Sequence, residues 1–246
     1  MNDSLAARRI VVTGASSGIG EAVARACVDA GGTVALIARR KDRLNSIVAE
    51  LGDAAQAFAA DVRDEGQLRA ALDAAALFLG GVDALVNAAG LNRAATLADG
   101  TAAEWREMLE TNMLGAFVAT HSVLPHMRAG GLGDIVNVSS MAGRRVPGPE
   151  SGVYSATKAG MHAWSEALGR ELGPEGIRVM VLAPGIVRTE FASHTADESL
   201  RAARIKLLDE RGLDPRDVAQ EVVHMLALPQ NVRLREVAIM PTTQLL

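Results

Sequence analysis

Thr13-Gly14-Ala15-Ser16-Ser17-Gly18-Ile19-Gly20 lies between an apolar run, Arg9 to Thr13 (RIVVT), and an amphipathic stretch from Glu21 to Ala30. The run reads as a short buried strand and the stretch as a helix, so the octapeptide is a strand-to-helix turn. Glycines at such a turn let the backbone approach a phosphate closely, leave N–H groups free, and open a helix whose positive dipole end faces the anion. The spacing is G-x-x-x-G-x-G, not the commoner G-x-G-x-x-G, and glycines also simply make tight turns. The place of this turn, after the first strand and opening the first helix, favours a dinucleotide site built on Gly14, Ser16, Ser17, Gly18, Ile19 and Gly20. The same residues spell G-x-S-x-G, the nucleophile elbow of serine hydrolases, with Ser16 as nucleophile. That elbow normally follows several strands, and on the first strand no upstream loop offers the second oxyanion donor.

Outward from this turn, apolar runs alternate with helical patterns. Thr33 to Ala38, Ala84 to Asn87, Asp134 to Ser139, Arg178 to Ala183 and Val237 to Met240 read as further strands. Helical patterns cover Arg40–Leu51, Glu65–Leu79, Ala102–His126, Val153–Leu172 and Asp217–Leu228. This rhythm predicts βαβ units in a Rossmann-type, doubly wound parallel sheet with helices on both faces, one α/β domain over residues 1–246. The polar segment from Arg188 to Leu213, after the Pro184-Gly185 turn, breaks the rhythm. An insertion past a strand's carboxyl end is where a substrate loop is expected.

Composition narrows the class. The chain has 246 residues, 49% hydrophobic and 22% charged, which is ordinary for a globular protein and ample for a core. One cysteine, Cys27, builds neither a disulfide framework nor a thiolate metal site. The histidines at 121, 126, 162, 194 and 224 lack metal-site spacing, so no metal is expected. A net charge of −4 argues against a nucleic-acid partner. The N-terminal residues lack a signal-peptide core, and no apolar stretch reaches the ~20 residues of a membrane helix, so a cytoplasmic location is expected.

The second predicted strand ends at Ala38-Arg39-Arg40. A domain that prefers NAD usually offers an acid about 20 residues past the glycines to hold the ribose 2′-hydroxyl. Here arginines stand at a helix start, where they oppose the dipole. A 2′-phosphate explains them, with Arg39 expected to discriminate most and Arg40 less. Farther on, Tyr154 and Lys158 fall one helical turn apart on one face, and Ser140 closes a strand. A lysine ammonium near a phenol favours phenolate, as a proton donor working near neutral pH requires.

The glycine turn, Asp61-Val62, Asn87-Ala88-Ala89-Gly90, Ser140 with Tyr154 and Lys158, and Pro184-Gly185-Ile186-Val187-Arg188-Thr189 stand in the order found in short-chain dehydrogenases/reductases. The chain resembles that family over essentially its whole length. The resemblance implies an NADP-dependent oxidoreductase acting on a small carbonyl or hydroxyl compound, with Asn112, Ser140, Tyr154 and Lys158 catalytic. It implies that Ser140, not Ser139, binds the reacting oxygen, Tyr154 exchanges its proton, and Lys158 holds the nicotinamide ribose. Asn112 is then expected to hold a water beside Lys158. It further implies cofactor contacts from Asp61, Val62, Asn87, Ala88, Gly90, Pro184, Gly185, Ile186, Val187 and Thr189, and a homotetramer. Ala88 stands where the family usually has a second asparagine, which removes an amide expected to tie the central strands. Arg39-Arg40, the Leu213–Ala219 stretch and the tail Val237–Gln244 are similar to the NADP-dependent 3-hydroxy acid and clavulanate dehydrogenases. Arg144 and Arg145 fit either an anionic substrate or a solvated loop. Cys27, Trp105 and Trp164 are read as packing residues. An NADP(H)-sensing regulator without turnover is the competing reading, but it has no use for the serine, tyrosine and lysine together.

Overall fold

The structure is a computed structural model that describes residues 4–191 and 198–244. Among them, β1 (Arg9–Thr13), β2 (Thr33–Ala38), β3 (Ala55–Ala59), β4 (Ala84–Asn87), β5 (Gly133–Val138), β6 (Ile177–Pro184) and β7 (Glu236–Ile239) form one sheet. All pairs are parallel and the order is β3-β2-β1-β4-β5-β6-β7, a Rossmann-type sheet. The chain reverses direction of winding between β1 and β4, so the crevice for a ligand opens at the carboxyl ends of these two strands.

Strand alternation builds two cores. Ile10 and Val12 of β1, Val34 and Leu36 of β2, and Met180 and Leu182 of β6 face one side. Val11, Ala35, Ile37 and Val179 face the other. The first side is covered by α1 (Gly18–Asp29), α2 (Lys41–Leu51) and α8 (Pro215–Ala227) through Val23, Leu44 and Val222. On the second side lie α3 (Glu65–Leu79), α5 (Gly115–Gly130) and α6 (Gly152–Leu172), which contribute Leu72, Val123 and Leu168. Cys27 is fully buried in the first core, and desolvation pushes its thiol up to about 12. Trp164 packs on Phe117 with ring centroids 4.5 Å apart.

Three departures from the sequence reading matter. The helix expected over Ala102–His126 is two helices, α4 (Ala102–Leu109) and α5, joined by a single π turn, Glu110–Leu114. A capping box between Thr101 and Glu104 starts α4. The segment from Arg188 to Leu213 contains a helix, α7 (Glu198–Arg211), where a loop was expected. Its ends are clasped: Arg188 N–H donates to Leu213 C=O at 2.9 Å and Leu213 N–H to Ile186 C=O at 3.0 Å. His194 and the rest of 192–197 lie outside the described residues. The third departure concerns Ala88. The amide ties between central strands come from Asn87, whose Nδ2 donates to Thr120 Oγ1 (3.2 Å) and Asn137 Oδ1 (2.9 Å), while Asn137 reaches Ser165 at 2.8 Å.

At the opposite edge of the sheet, Asp134 is fully buried between Arg8 and Arg178. No described helix is long and apolar enough to cross a membrane.

Candidate active site

The glycine turn leaves β1 with Gly14 at φ +69°, and a side chain there would press within 2.7 Å of the Ala89 backbone. Only glycine meets both demands. The turn delivers α1 with its N-cap, Ser17, making no side-chain cap, so the first N–H groups face the cleft unspent. Gly14, Ser16, Ser17, Gly18, Ile19, Gly20, Arg39, Arg40, Asp61, Val62, Ala88, Gly90, Tyr154, Lys158 and Thr189 all line this cleft. Asn87 does not. Its Nδ2 donates beneath the cleft to Asn137 and Thr120, so it acts on the site through the strands, while its Oδ1 is buried without a hydrogen-bond partner.

The two arginines stand differently at the cleft. Arg40 lies on the turn, with Nε 3.1 Å from Ser16 Oγ and Nη2 donating to Ser17 Oγ. Its Nη1 meets Glu190 at 2.8 Å, and Arg43 meets the same carboxylate at 3.0 Å. These guanidinium groups hold the Glu190 carboxyl below its usual range, Arg40 chiefly. Arg39 is 56% exposed at its side chain and only 3.9 Å from Asp61. Asp61 is held low mainly by Arg63, which hydrogen-bonds it directly.

Beside the cleft, a cavity of about 550 Å³ opens over the carboxyl end of β6, within the size range of small-molecule sites. Ser140, Pro184, Gly185, Ile186 and Val187 line it, and Tyr154 and Thr189 stand at the border with the cleft. Gln244 from the C-terminal segment accepts from Ile186 N–H at 2.9 Å and so joins the wall. Phe191 packs edge-on against Tyr154, with centroids 5.5 Å apart.

Adjacent serines divide their work. Ser139 is buried and its hydroxyl donates to the Lys158 carbonyl at 3.0 Å. Ser140 accepts from Ala142 N–H at 3.1 Å, and its own nearest acceptor, Pro184 C=O, is 3.5 Å away. That separation is at the limit of a hydrogen bond, so the Ser140 proton can turn to the Tyr154 oxygen and the cavity instead. Lys158 Nζ donates to Val138 C=O at 2.8 Å and sits 5.8 Å from the centre of the Tyr154 ring. Burial lowers the lysine to about 8. The tyrosine departs from expectation. Although half-buried by accessible surface, its phenol is packed tightly enough that desolvation raises it to about 12. Ser140, by hydrogen bonding, and then the Arg204 charge act the other way. Burial outweighs both, the expected depression by Lys158 is not among the effects acting on the phenol, and Tyr154 is protonated at neutral pH.

Asn112 sits in the π turn. Its Oδ1 accepts from Leu91 N–H (2.8 Å), and its Nδ2 donates to Leu91 C=O (2.9 Å) and Thr157 Oγ1 (3.1 Å). The amide therefore pins the chain after Gly90 to the residue before Lys158, and one Oδ1 lone pair is left over. A methyl group on Gly90 would stand 3.4 Å from that oxygen and 3.6 Å from Lys158 Nζ, so the three close one corner of the cleft. Arg144 turns away to Glu236, whereas Arg145 lines the cavity. Leu91, Arg93, Thr111, Glu190, Phe191, Arg204 and Gln244 reach the site without a motif to announce them.

A parallel nucleotide-type sheet with a serine, a tyrosine and a lysine at its carboxyl edge defines a dehydrogenase of the Rossmann class. Residues 8–199 match the short chain dehydrogenase family, and the chain belongs to it. A Bos taurus protein named dehydrogenase/reductase SDR family member 11 is 35% identical, with 96% of this chain and 97% of that protein covered. Among solved structures, a serine dehydrogenase in a closed form complexed with NADP+ superposes with a TM-score of 0.89 at 31% identity, covering 96% of each chain. An alcohol dehydrogenase from Thermococcus sibiricus complexed with 5-hydroxy-NADP gives 0.85 at 30% identity, covering 96% of this chain and 97% of the other. The protein is an oxidoreductase of this family.

Proposed function

We propose that the protein uses NADP(H) to interconvert a small carbonyl compound and its alcohol, with Ser140, Tyr154, Lys158 and Asn112 as its working residues. The observation that carries this reading is the convergence of Ser140 and Tyr154 where an anion-cradling cleft meets a separate cavity. When bound, NADPH supplies a hydride, and NADP+ accepts one in the opposite direction. Gly14 to Gly20 would hold its diphosphate, Ser16, Arg39 and Arg40 its 2′-phosphate, and Asp61 and Val62 its adenine. Lys158 would hold the nicotinamide ribose through the N–H groups it does not spend on Val138, and Ile186, Val187 and Thr189 the carboxamide. Ser140 donates a hydrogen bond to the substrate oxygen and orients it against Tyr154. The phenol, protonated at neutral pH, gives its proton to that oxygen in reduction and takes it back in oxidation. Lys158, charged below about pH 8, stabilises the phenolate left behind. Asn112 positions Lys158 through Thr157, and its remaining lone pair suits the water that the family places there.

The segment from Arg188 to Leu213, through Thr189, Phe191 and Leu208, walls the cavity and acts as the substrate loop. Leu109 and Leu114, about half exposed on the α4–α5 face, support self-association there, which light scattering after gel filtration tests. The function itself is tested by following NADPH oxidation with a panel of aldehydes, ketones and oxo acids. Tyr154→Phe should lose ~10²–10⁴-fold in turnover with the NADPH Kd unchanged. A variant that keeps more than about a tenth of the activity refutes the proton donor. A wild type that binds NADPH and turns over nothing is the regulator instead.

A further inference from the structure

α7 buries none of its residues fully, and one row of it packs most closely on the protein. Leu200, Arg204 and Leu208, spaced by four, are half-buried while their neighbours on the helix are mostly exposed. The middle of this row is a charge. Arg204 lines the same cavity as Ser140, Tyr154 and Asn92, and its Nη1 has essentially no accessible surface and no hydrogen-bond partner. Two other arginines of the segment have acidic partners, Arg188 in Asp214 and Arg201 in Glu198. No described carboxylate lies within ion-pair distance of Arg204. Glu150 and the Tyr154 oxygen are the groups whose fields reach it, and Arg145 stands on the cavity wall beyond.

A guanidinium with a nitrogen withdrawn from water and no anion beside it is an expensive arrangement, and a planar fork of N–H donors matches a carboxylate. We propose that Arg204 is the substrate-carboxylate anchor, so that the compound reduced or oxidised at Tyr154 is a small oxo acid or hydroxy acid rather than a neutral alcohol. A singly charged carboxylate suits the site better than a phosphate, because Glu150 repels the second negative charge. Fixing the acid end on α7 also fixes the distance between that end and the reacting carbon, which selects chain length. The inference rests on the reaction assigned above to Ser140 and Tyr154.

The test compares 3-oxobutanoate, 4-oxobutanoate and 4-oxopentanoate, each beside its methyl ester, with NADPH at pH 7. For at least one pair the wild type should favour the acid in kcat/KM by ~10- to 150-fold, the range of a hydrogen bond to a charged group. Arg204→Met should bring that ratio close to one, and Arg204→Lys should restore part of it. A wild type indifferent to esterification in every pair overturns the assignment. So does a preference that survives in Arg204→Met, or a fall that affects acid and ester equally, which marks an effect through Tyr154. Esters turned over as well as acids leave the oxidoreductase reading intact and remove only the anchor. If neither acids nor esters nor simple aldehydes react, the reaction fails and the anchor is judged by binding. With NADP+ present, 4-hydroxybutanoate should raise the Tm of the wild type and not of Arg204→Met, and equal responses refute it.

Discussion

Arg40 and Glu190 make opposite predictions for one ligand, which turns cofactor choice into a two-sided test. Arg40 reaches Ser16, Ser17 and Glu190 from the start of α2, and its side chain is 43% exposed. A charge-assisted hydrogen bond to a phosphate is worth ~1.5–3 kcal/mol, and this exposure argues for the lower end. Arg40→Ala should therefore weaken NADPH by about 10-fold, since ~1.4 kcal/mol is tenfold, and leave NADH unchanged. Glu190 competes for the same guanidinium groups at 2.8 and 3.0 Å. Two exposed pairs of ~0.2–1 kcal/mol each are given up when a 2′-phosphate displaces the carboxylate. Glu190→Gln removes that competition and should tighten NADPH by about 2- to 30-fold, again without effect on NADH. Nicotinamide fluorescence titrations of both dinucleotides, at low salt and at ~0.5 M salt, where screening shrinks both effects, supply the Kd values. An Arg40→Ala variant that loses NADPH and NADH equally places the arginine in the fold of the turn instead. Weaker NADPH binding by Glu190→Gln refutes the competition.

Two further outcomes follow from buried charge. Lys158 sits at about 8 in the folded protein against an ordinary 10.5, so between these values the unfolded chain holds the extra proton. Cofactor-free stability should rise with pH across that window, by up to ~1.4 kcal/mol per pH unit relative to Lys158→Met, and urea titrations at pH 7.5 and 9.5 check the sign. Asp134→Ala strips the buried partner of Arg178 and should cost about 3–5 kcal/mol in urea unfolding, with the NADPH Kd of the folded protein unaltered.

The parts of the molecule that were legible in the sequence are those where burial writes a periodic pattern. β1, β2 and β4 are apolar on both faces and stand where their runs place them. β3 is an edge strand, Ala-Gln-Ala-Phe-Ala, with only its first residue buried, and such a segment carries little apolar contrast. α7 failed to register as a helix for the same reason, since none of its residues is fully buried. The π turn adds a residue to what reads as one continuous helix, and hydrophobic spacing blurs rather than breaks across it. Site residues held by motifs were readable, whereas Arg204, Phe191 and Gln244 arrive by tertiary folding from polar or C-terminal segments. Which of Arg39 and Arg40 reaches the glycine turn depends on how the first turn of α2 aims each side chain, which neighbouring positions do not reveal.

The hydrogen bonds that join Ile186 and Arg188 to Leu213 make the intervening chain a cassette. Strand β6 ends before the clasp and α8 begins after it, so exchange of residues 192–212 between related enzymes, which leaves Thr189, Glu190 and Phe191 of the cofactor cleft in place, need not disturb the register of the sheet. A cassette of this kind lets substrate range diversify while the cofactor cleft is inherited intact, and it marks where grafting should begin when the enzyme is to be redirected.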